Sequence, residues 1–258
     1  MFDGDGNFAG SFAVITDITE RRQTEEKLNM YLSQLEKANK ELSDFAYIVS
    51  HDLKEPIRAV HSLAKWIVTD YADKFDDKGK EKIYLLMGRV RRINDLIEGI
   101  LRYSRAGRLI GEKTEADLSQ IAFEIISILS PPGHIHIEIE GKLPVVLCEK
   151  TSMAQVFQNL LGNAVKYMDK TEGEIKISSS NDGEFWKICV SDNGPGIAKK
   201  DYHKIFQMFS VLQPRDHLEA SGVGLAIVKK IIDMYGGNVW VESGTGKGCR
   251  FYFTIPIS

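Results

Sequence analysis

The hydrophobic repeat of this chain changes character once, and that change limits its fold more than any other feature. Up to about residue 106 apolar residues recur at helical intervals; beyond about residue 112 short alternating runs take over. A chain divided in this way holds an all-α part followed by a mixed α/β part, each with its own core.

In the helical part, taking Ile18 as position a, heptad spacing selects Ile18, Arg21, Glu25, Leu28, Leu32, Leu35, Asn39, Leu42, Ala46 and Val49. From Leu28 onward this suits a dimeric coiled coil, with Asn39 at an a position giving up stability to fix register and strand number. A single amphipathic helix packed on its own domain is the alternative, but no segment before residue 80 offers it a partner. The register places His51 at f, outside the seam, next to Asp52. Pro56 lies further along the same run, where proline removes a hydrogen bond and normally kinks a helix. A loop over 70–80 ends the run. A second stripe follows, Ile83, Leu86, Val90, Ile93, Ile97 and Ile100. The two helices form a hairpin that cannot bury its seams alone, and pairing with a second copy would give a four-helix bundle. Gly107 and Gly111 mark the exit. At the other end, residues 8–18, "FAGSFAVITDI", read as a terminal β-strand.

In the α/β part, "HIHIEIE" alternates strictly, with Ile135, Ile137 and Ile139 on one face and His134 and His136 toward solvent. "PVVLCE", "GEIKISSS", "EFWKICVSD", "NVWVES" and "CRFYFTIP" also read as strands. Helices fall at about 117–129, 152–168 and 221–235. Helices among hairpin-like strands predict an α+β layer sandwich, a sheet with one face covered.

Composition removes several function classes. A net charge of -3 gives no case for nucleic acid or an anionic membrane surface. The three cysteines, Cys148, Cys189 and Cys249, have no paired spacing, so neither a disulfide framework nor a zinc site is expected. No apolar run approaches the ~18 residues of a membrane span. The opening "MFDGDGNFAG" is no signal peptide. A cytoplasmic location is expected, with or without an upstream membrane-anchored sensor.

Three stretches carry chemistry. In "QVFQNLLGNAVKYMDK", Asn159, Asn163 and Lys166 share one helix face, with Gln155 and Gly162, while Phe157, Leu160, Leu161, Ala164 and Met168 form the opposite apolar stripe. Asparagine is a poor interior helix residue. Its neutral oxygen suits a Mg²⁺ that phosphates also hold, and lysine suits the phosphates as a point charge. In "CVSDNGPGIAKKDY" an apolar strand runs into Asp192, Asn193, Gly194, Pro195 and Gly196. This is a strong turn signal, and the carboxylate could also accept a hydrogen bond from the exocyclic amine of adenine. In "HLEASGVGLAIVKKIIDMYGG", Gly222 and Gly224 open an apolar helix whose free N–H groups would attract an anion. No G-x-x-x-x-G-K-[ST] occurs, which rules out a P-loop. Gly244, Gly246 and Gly248 read as a hairpin turn.

Together, in this order, the segments resemble the sensor histidine kinases of two-component signalling over nearly the whole chain. "FAYIVSHDLKEPI" resembles the H box, "QVFQNLLGNAVKYM" the N box, "SDNGPGI" the first glycine box, "IFQMF" the F box and "SGVGLAIVKKIIDMYGG" the second glycine box. "GSFAVITDITERRQTEEKL" is similar to the end of a PAS sensor domain entering a signalling helix. The resemblance implies a PAS-like strand over 1–19, a coiled-coil signalling helix over 20–44, a dimerisation and histidine-phosphotransfer domain over 45–106, and an ATP-binding domain of the Bergerat type, shared with DNA gyrase and MutL, over 107–258. It implies that His51 accepts the γ-phosphoryl group of ATP with Asp52 as its neighbouring acid, and that the phosphoryl group passes to an aspartate of a response regulator. Asn163 would hold Mg²⁺ beside Asn159, Lys166 would meet phosphate, Tyr167 would line the pocket and Asp192 would read adenine. Gly194, Gly196, Ile197 and Phe209 would shape the pocket; Gly222, Val223, Gly224 and Leu225 would form the hinge of a lid. Pro56 would be the bend at which the bundle flexes.

The pattern departs in three places. Glu55 stands where such kinases often carry Thr or Asn that positions a water for dephosphorylation, so weak phosphatase activity is expected. The F box is followed by "SVLQ" rather than soon by an arginine, leaving Arg215 as the nearest substitute for neutralising transferring phosphate. Ala220 replaces the first glycine of the second glycine box. Two rivals remain: a gyrase-like ATPase, disfavoured because Asn159 occupies the position of the water-activating glutamate, and a non-catalytic nucleotide-binding dimeric scaffold.

Overall fold

The computed structural model describes Asp5 and residues 17–71, 74–106, 112–211 and 221–257. The expected strand over residues 8–18 lies outside the described residues except for Asp17 and Ile18, which precede a helix; Gly107, Gly111, Arg215 and Ala220 also lie outside them. The chain divides into two compact units between Phe45 and Ala46.

One helix, α1, runs unbroken from Thr19 to Tyr71 and carries Pro56 inside it. In its first part Leu28, Leu32, Leu35 and Leu42 are all exposed in the single chain. Beyond Phe45, a second helix, α2, spans Asp77–Arg105. It is started by Asp76, whose side chain accepts from Gly79 N, and ends with Arg102 and Arg105 in its last turn, where cations favour the helix dipole. Lys54 pairs with Glu98 at 3.2 Å, and the Arg105 guanidinium lies 5.5 Å from the Tyr47 ring centre. These contacts fix an antiparallel hairpin.

The face of α1 turned inward is the stripe Ser50, Lys54, Ile57, His61, Ala64 and Val68, all buried or half-buried. The a/d stripe continued from Val49, namely Leu53, Val60, Leu63 and Ile67, stays exposed. On α2 the same split appears, with Val90 and Ile97 buried and Leu86 and Ile93 exposed.

The C-terminal part is a five-stranded sheet of order β2-β4-β5-β7-β6. Its strands are β2 (Ile135–Ile139), β4 (Gly173–Asp182), β5 (Phe185–Asp192), β6 (Val239–Ser243) and β7 (Cys249–Pro256), and only β2 and β4 pair in parallel. Alternation alone predicts hairpin-like strands; the crossover through α4 (Lys150–Lys166) instead makes the β2–β4 pair parallel. A small antiparallel pair joins β3 (Val145–Cys148) to β1 (Thr114–Asp117). Sequence analysis missed β1, since four residues are too few to show alternation.

Helices α3 (Leu118–Leu129), α4 and α5 (Gly224–Met234) cover one face of the large sheet. Ile175, Ile177, Ile188, Val190, Phe251 and Phe253 point from the strands into a core met by Ile121, Phe157, Leu161, Ile227 and Ile231. Phe157 and Phe253, both fully buried, meet edge to face at 6.0 Å. His134 and His136 are exposed, as the alternation requires. Glu149 starts α4 by accepting from the backbone of Thr151 and Ser152. The apolar stripe Phe157, Leu160, Leu161 and Ala164 is buried, which turns Asn159, Asn163 and Lys166 away from the sheet.

Candidate functional site

The side of α4 that carries Asn159, Asn163 and Lys166 faces two glycine-rich segments. Asn159 donates from Nδ2 to the Gln155 carbonyl at 2.7 Å, which directs Oδ1 toward Gly224; a Cβ on Gly224 would stand 2.7 Å from that oxygen. The first turn of α5 therefore lies directly against the asparagine face. Helix α4 ends at Lys166, earlier than the sequence pattern suggested, and Tyr167 caps it. The Lys166 ammonium sits 5.9 Å from the centre of the Tyr167 ring, which is 40% exposed.

Asp192 closes β5. Its Oδ1 accepts from Gly194 N at 2.9 Å and from Cys249 N at 3.3 Å. Both bonds use one oxygen, so Oδ2 is the acceptor available to a ligand. Burial pushes this carboxyl above the usual carboxylate range, and the two backbone donors only partly hold it down. Gly194 is buried, and a Cβ there would meet Asp192 Oδ1 at 2.9 Å and the Tyr167 carbonyl at 3.8 Å. Gly196 has φ +75 and would drive a Cβ to 2.0 Å from the Gly244 carbonyl, so only glycine fits. The turn formed by Gly244, Gly246 and Gly248 thus props the Asp192 loop from behind, with Gly246 N donating to the Pro195 carbonyl.

Sequence reading did not find the residues that hold this loop. Ile197 N donates to Ser243 Oγ at 2.8 Å, and Ser243 Oγ donates to the Gly248 carbonyl. Tyr202 donates its hydroxyl to the Ser243 carbonyl and accepts from Ser243 N. The side chain of Asn193 ties the loop to β4, accepting from Glu174 N and donating to the Glu172 carbonyl. These partners are 19 to 46 residues apart for Asn193 with Glu174 and Ser243 with Ile197, with no local signal to reveal them.

Phe209 ends the F box with φ 63, an uncommon backbone for a side chain with a Cβ. Gly222, at φ +65, comes so near that a Cβ would lie 2.8 Å from the Phe209 carbonyl carbon. Val223 is fully buried, and Leu225 is half-buried beside Gly224. The N box, both glycine boxes and the F box thus lie next to one another, through Asn159 with Gly224, Tyr167 with Gly194, and Phe209 with Gly222.

His51 is elsewhere. It stands on α1 with its side chain 70% exposed, while the preceding Ser50 is 3% exposed. Its Nδ1 lies 3.2 Å from Asp52 Oδ1, and among the described residues Asp52 is its hydrogen-bond partner. No described cluster of three or more His, Cys, Asp or Glu side chains could cage a metal. The amide oxygen of Asn163 on a half-buried face fits a Mg²⁺ held mainly by phosphates and waters.

A three-helix layer over a mixed five-stranded sheet, with glycine-bearing turns packed against an asparagine-bearing helix, is an α/β sandwich. Residues 148–258 match the family described as histidine kinase-, DNA gyrase B- and HSP90-like ATPase, and the chain is similar over nearly its whole length to part of proteins named as phytochromes and histidine kinases. It is 38% identical to cyanobacterial phytochrome B of Nostoc sp. over 94% of this chain and 33% of that protein. It is 30% identical to the methanogenesis regulatory histidine kinase FilI of Methanothrix harundinacea over 97% of this chain and 29% of that one. The chain therefore spans about a third of the length of these curated relatives. The fold is shared with the histidine kinase ThkA, solved in complex with response regulator protein TrrA, at a TM-score of 0.58 and 24% identity, over 89% of this chain and 67% of the matched one.

Proposed function

We propose that this chain is the kinase core of a two-component sensor, which moves the γ-phosphoryl group of ATP to His51 and then to an aspartate of a response regulator. The observation that carries this reading is the exposed imidazole whose Nδ1 is tied to Asp52. With the proton held on Nδ1 by the carboxylate, the Nε2 lone pair attacks the γ-phosphorus, the bond to the β–γ bridging oxygen breaks and ADP leaves. Asp52 then balances the positive charge of the phosphorylated ring.

In the nucleotide domain, Asp192 Oδ2 accepts from the adenine amine, with Gly194, Gly196 and Ile197 shaping the base site and Tyr167 lining it. Asn159 and Asn163 face the phosphates, Lys166 neutralises them, and Gly222, Val223, Gly224 and Leu225 form the lid hinge next to Phe209. When bound, Mg²⁺ offsets charge on the β- and γ-phosphates, with Asn163 as its protein ligand. Arg215 is the candidate for the remaining charge.

The exposed stripe of Val49, Leu53, Val60, Leu63 and Ile67 supports a homodimer, because its burial needs a second hairpin. The complex seen for ThkA supports a response regulator as partner. A sensor domain entering through Asp17, Ile18 and Thr19 would supply the signal. We expect a cytoplasmic kinase core; no described helix is long and apolar enough to cross a membrane.

Incubation with γ-labelled ATP and Mg²⁺ tests the reading. Label should stay on the protein as an acid-labile, base-stable adduct that His51→Gln abolishes. Release of free phosphate alone would indicate an ATPase, against which stands the amide of Asn159, which cannot act as a base. Nucleotide binding with no turnover would indicate the scaffold.

A further inference from the structure

We propose that Ser243 is a positioning residue for base recognition: through the peptide that joins Gly248 to Cys249, its hydroxyl aims the Asp192 carboxylate that takes the adenine amine. This inference rests on the adenine reading above and adds to it the group that sets the carboxylate's direction.

Ser243, Cys249 and Asp192 stand opposite one another in a row across the ends of β6, β7 and β5. Hydrogen bonds run along this row from end to end. Ile197 N donates to Ser243 Oγ at 2.8 Å, which leaves the hydroxyl proton to find an acceptor elsewhere. It goes to the Gly248 carbonyl at 2.6 Å; Cys249 Sγ, at 3.4 Å, is the poorer acceptor. That carbonyl and the Cys249 N–H are the two ends of one planar trans peptide and point in opposite directions. The Cys249 N–H in turn donates to Asp192 Oδ1 at 3.3 Å. A donor at the Gly248 oxygen therefore fixes the plane of this peptide. It also strengthens the N–H at the other end, since hydrogen bonds in a chain polarise one another.

The carboxylate depends on this support. Its other donor, Gly194 N at 2.9 Å, lies two residues on in the same loop, so it cannot set the carboxylate's direction relative to the sheet. The Cys249 bond does that, and at 3.3 Å it is just longer than the usual N–H···O range, where alignment decides its strength. Gly248 has φ +75, and a Cβ there would lie 1.9 Å from the Asp192 carbonyl oxygen. The two backbones already touch, so rotation is the freedom left to the peptide, and the Ser243 hydroxyl removes it. Tyr202 does not duplicate this role, because it bonds the backbone N and O of Ser243 and leaves the hydroxyl alone. Among the described residues, the titratable groups that face Asp192 are Asp169, whose charge raises its carboxyl, and the Cys249 thiol, which burial pushes up to about 11. Both are present in every variant below.

Isothermal titration with ADP and with purine riboside diphosphate, which lacks the exocyclic amine, tests the role. Ser243→Ala should bind ADP several-fold more weakly and purine riboside diphosphate as the unmodified protein does. Ser243→Thr, which keeps the hydroxyl, should restore the preference for ADP. In the ligand-free protein the Asp192 carboxyl, followed by NMR, should titrate at higher pH in Ser243→Ala, because losing a donor favours the protonated form. Equal weakening of both diphosphates would make Ser243 a structural support of the domain and overturn the proposal. Unchanged ADP affinity or an unmoved Asp192 titration would overturn it too. An unmodified protein that bound both diphosphates alike would sink the adenine reading and the recognition role with it. The ligand-free titration, which needs no nucleotide, would still report whether Ser243 acts on Asp192.

Discussion

The first residue of α5 rests on the amide of Asn159: a Cβ at Gly224 would come within 2.7 Å of Asn159 Oδ1. The contact is steric and not a matter of backbone freedom, since Gly224 is an ordinary helical residue. Gly224→Ala should therefore push the helix start away from the asparagine face. We expect affinity for an ATP analogue to fall about tenfold, equivalent to ~1.4 kcal/mol, while far-UV circular dichroism is unchanged. Isothermal titration would show it; an unaltered Kd would mean that the two helices adjust freely at this point.

Asp192 sets a pH dependence. Burial raises its folded pKa above the ordinary aspartate value, so between the two values only the folded chain keeps the proton. The stability this group contributes is thus complete at low pH and is lost as pH rises through the raised value. At neutral pH the fold carries a half-buried carboxylate that weakens it, which the proposed acceptance of the adenine amine would explain. Asp192→Asn should leave the melting temperature at pH 7 equal or higher and weaken nucleotide binding. In the unmodified protein, binding should start to fall on acidification at a pH above the usual aspartate range.

Phe157 and Phe253 join α4 to the centre of the sheet. Phe253→Ala leaves a cavity that the surrounding strands cannot close, at a cost of ~3–5 kcal/mol. Urea unfolding followed by Trp fluorescence should register that loss; a drop under 1 kcal/mol, on the order of a surface change, would show a core more yielding than its packing suggests.

Glu55 lies exposed on α1, one turn beyond His51. A carboxylate at this position accepts hydrogen bonds and repels an attacking hydroxide, so the protein should dephosphorylate its regulator slowly. Glu55→Thr should speed that loss, read as decay of labelled regulator after the kinase is added.

Pro56 leaves α1 unbroken but deprives it of one backbone donor. If it is the flexing point of the bundle, Pro56→Ala should stiffen α1 and narrow the gap between basal and signal-dependent labelling. Basal and signal-dependent rates that both match those of the unmodified protein would end that assignment.

The two-helix hairpin, the change to alternating strands and the helix that carries Asn159 and Asn163 were legible in the sequence. Periodicity encodes which face of each element is buried, and that is a local property. The same logic placed His51 outside the seam, and its ring is exposed. Tertiary structure alone decided what no repeat can carry. The inward face of α1 proved to be the Ser50–Ala64 stripe, offset from the a/d seam, because one hairpin has two faces to fill and the sequence marks both as apolar. The parallel β2–β4 pair depended on how a crossover was threaded. The props under the Asp192 loop, Ser243 and Tyr202, and the close approach of Gly99 to Val223 bring together residues far apart in the chain. Such contacts arise from packing complementarity, to which a single sequence gives no period and no spacing.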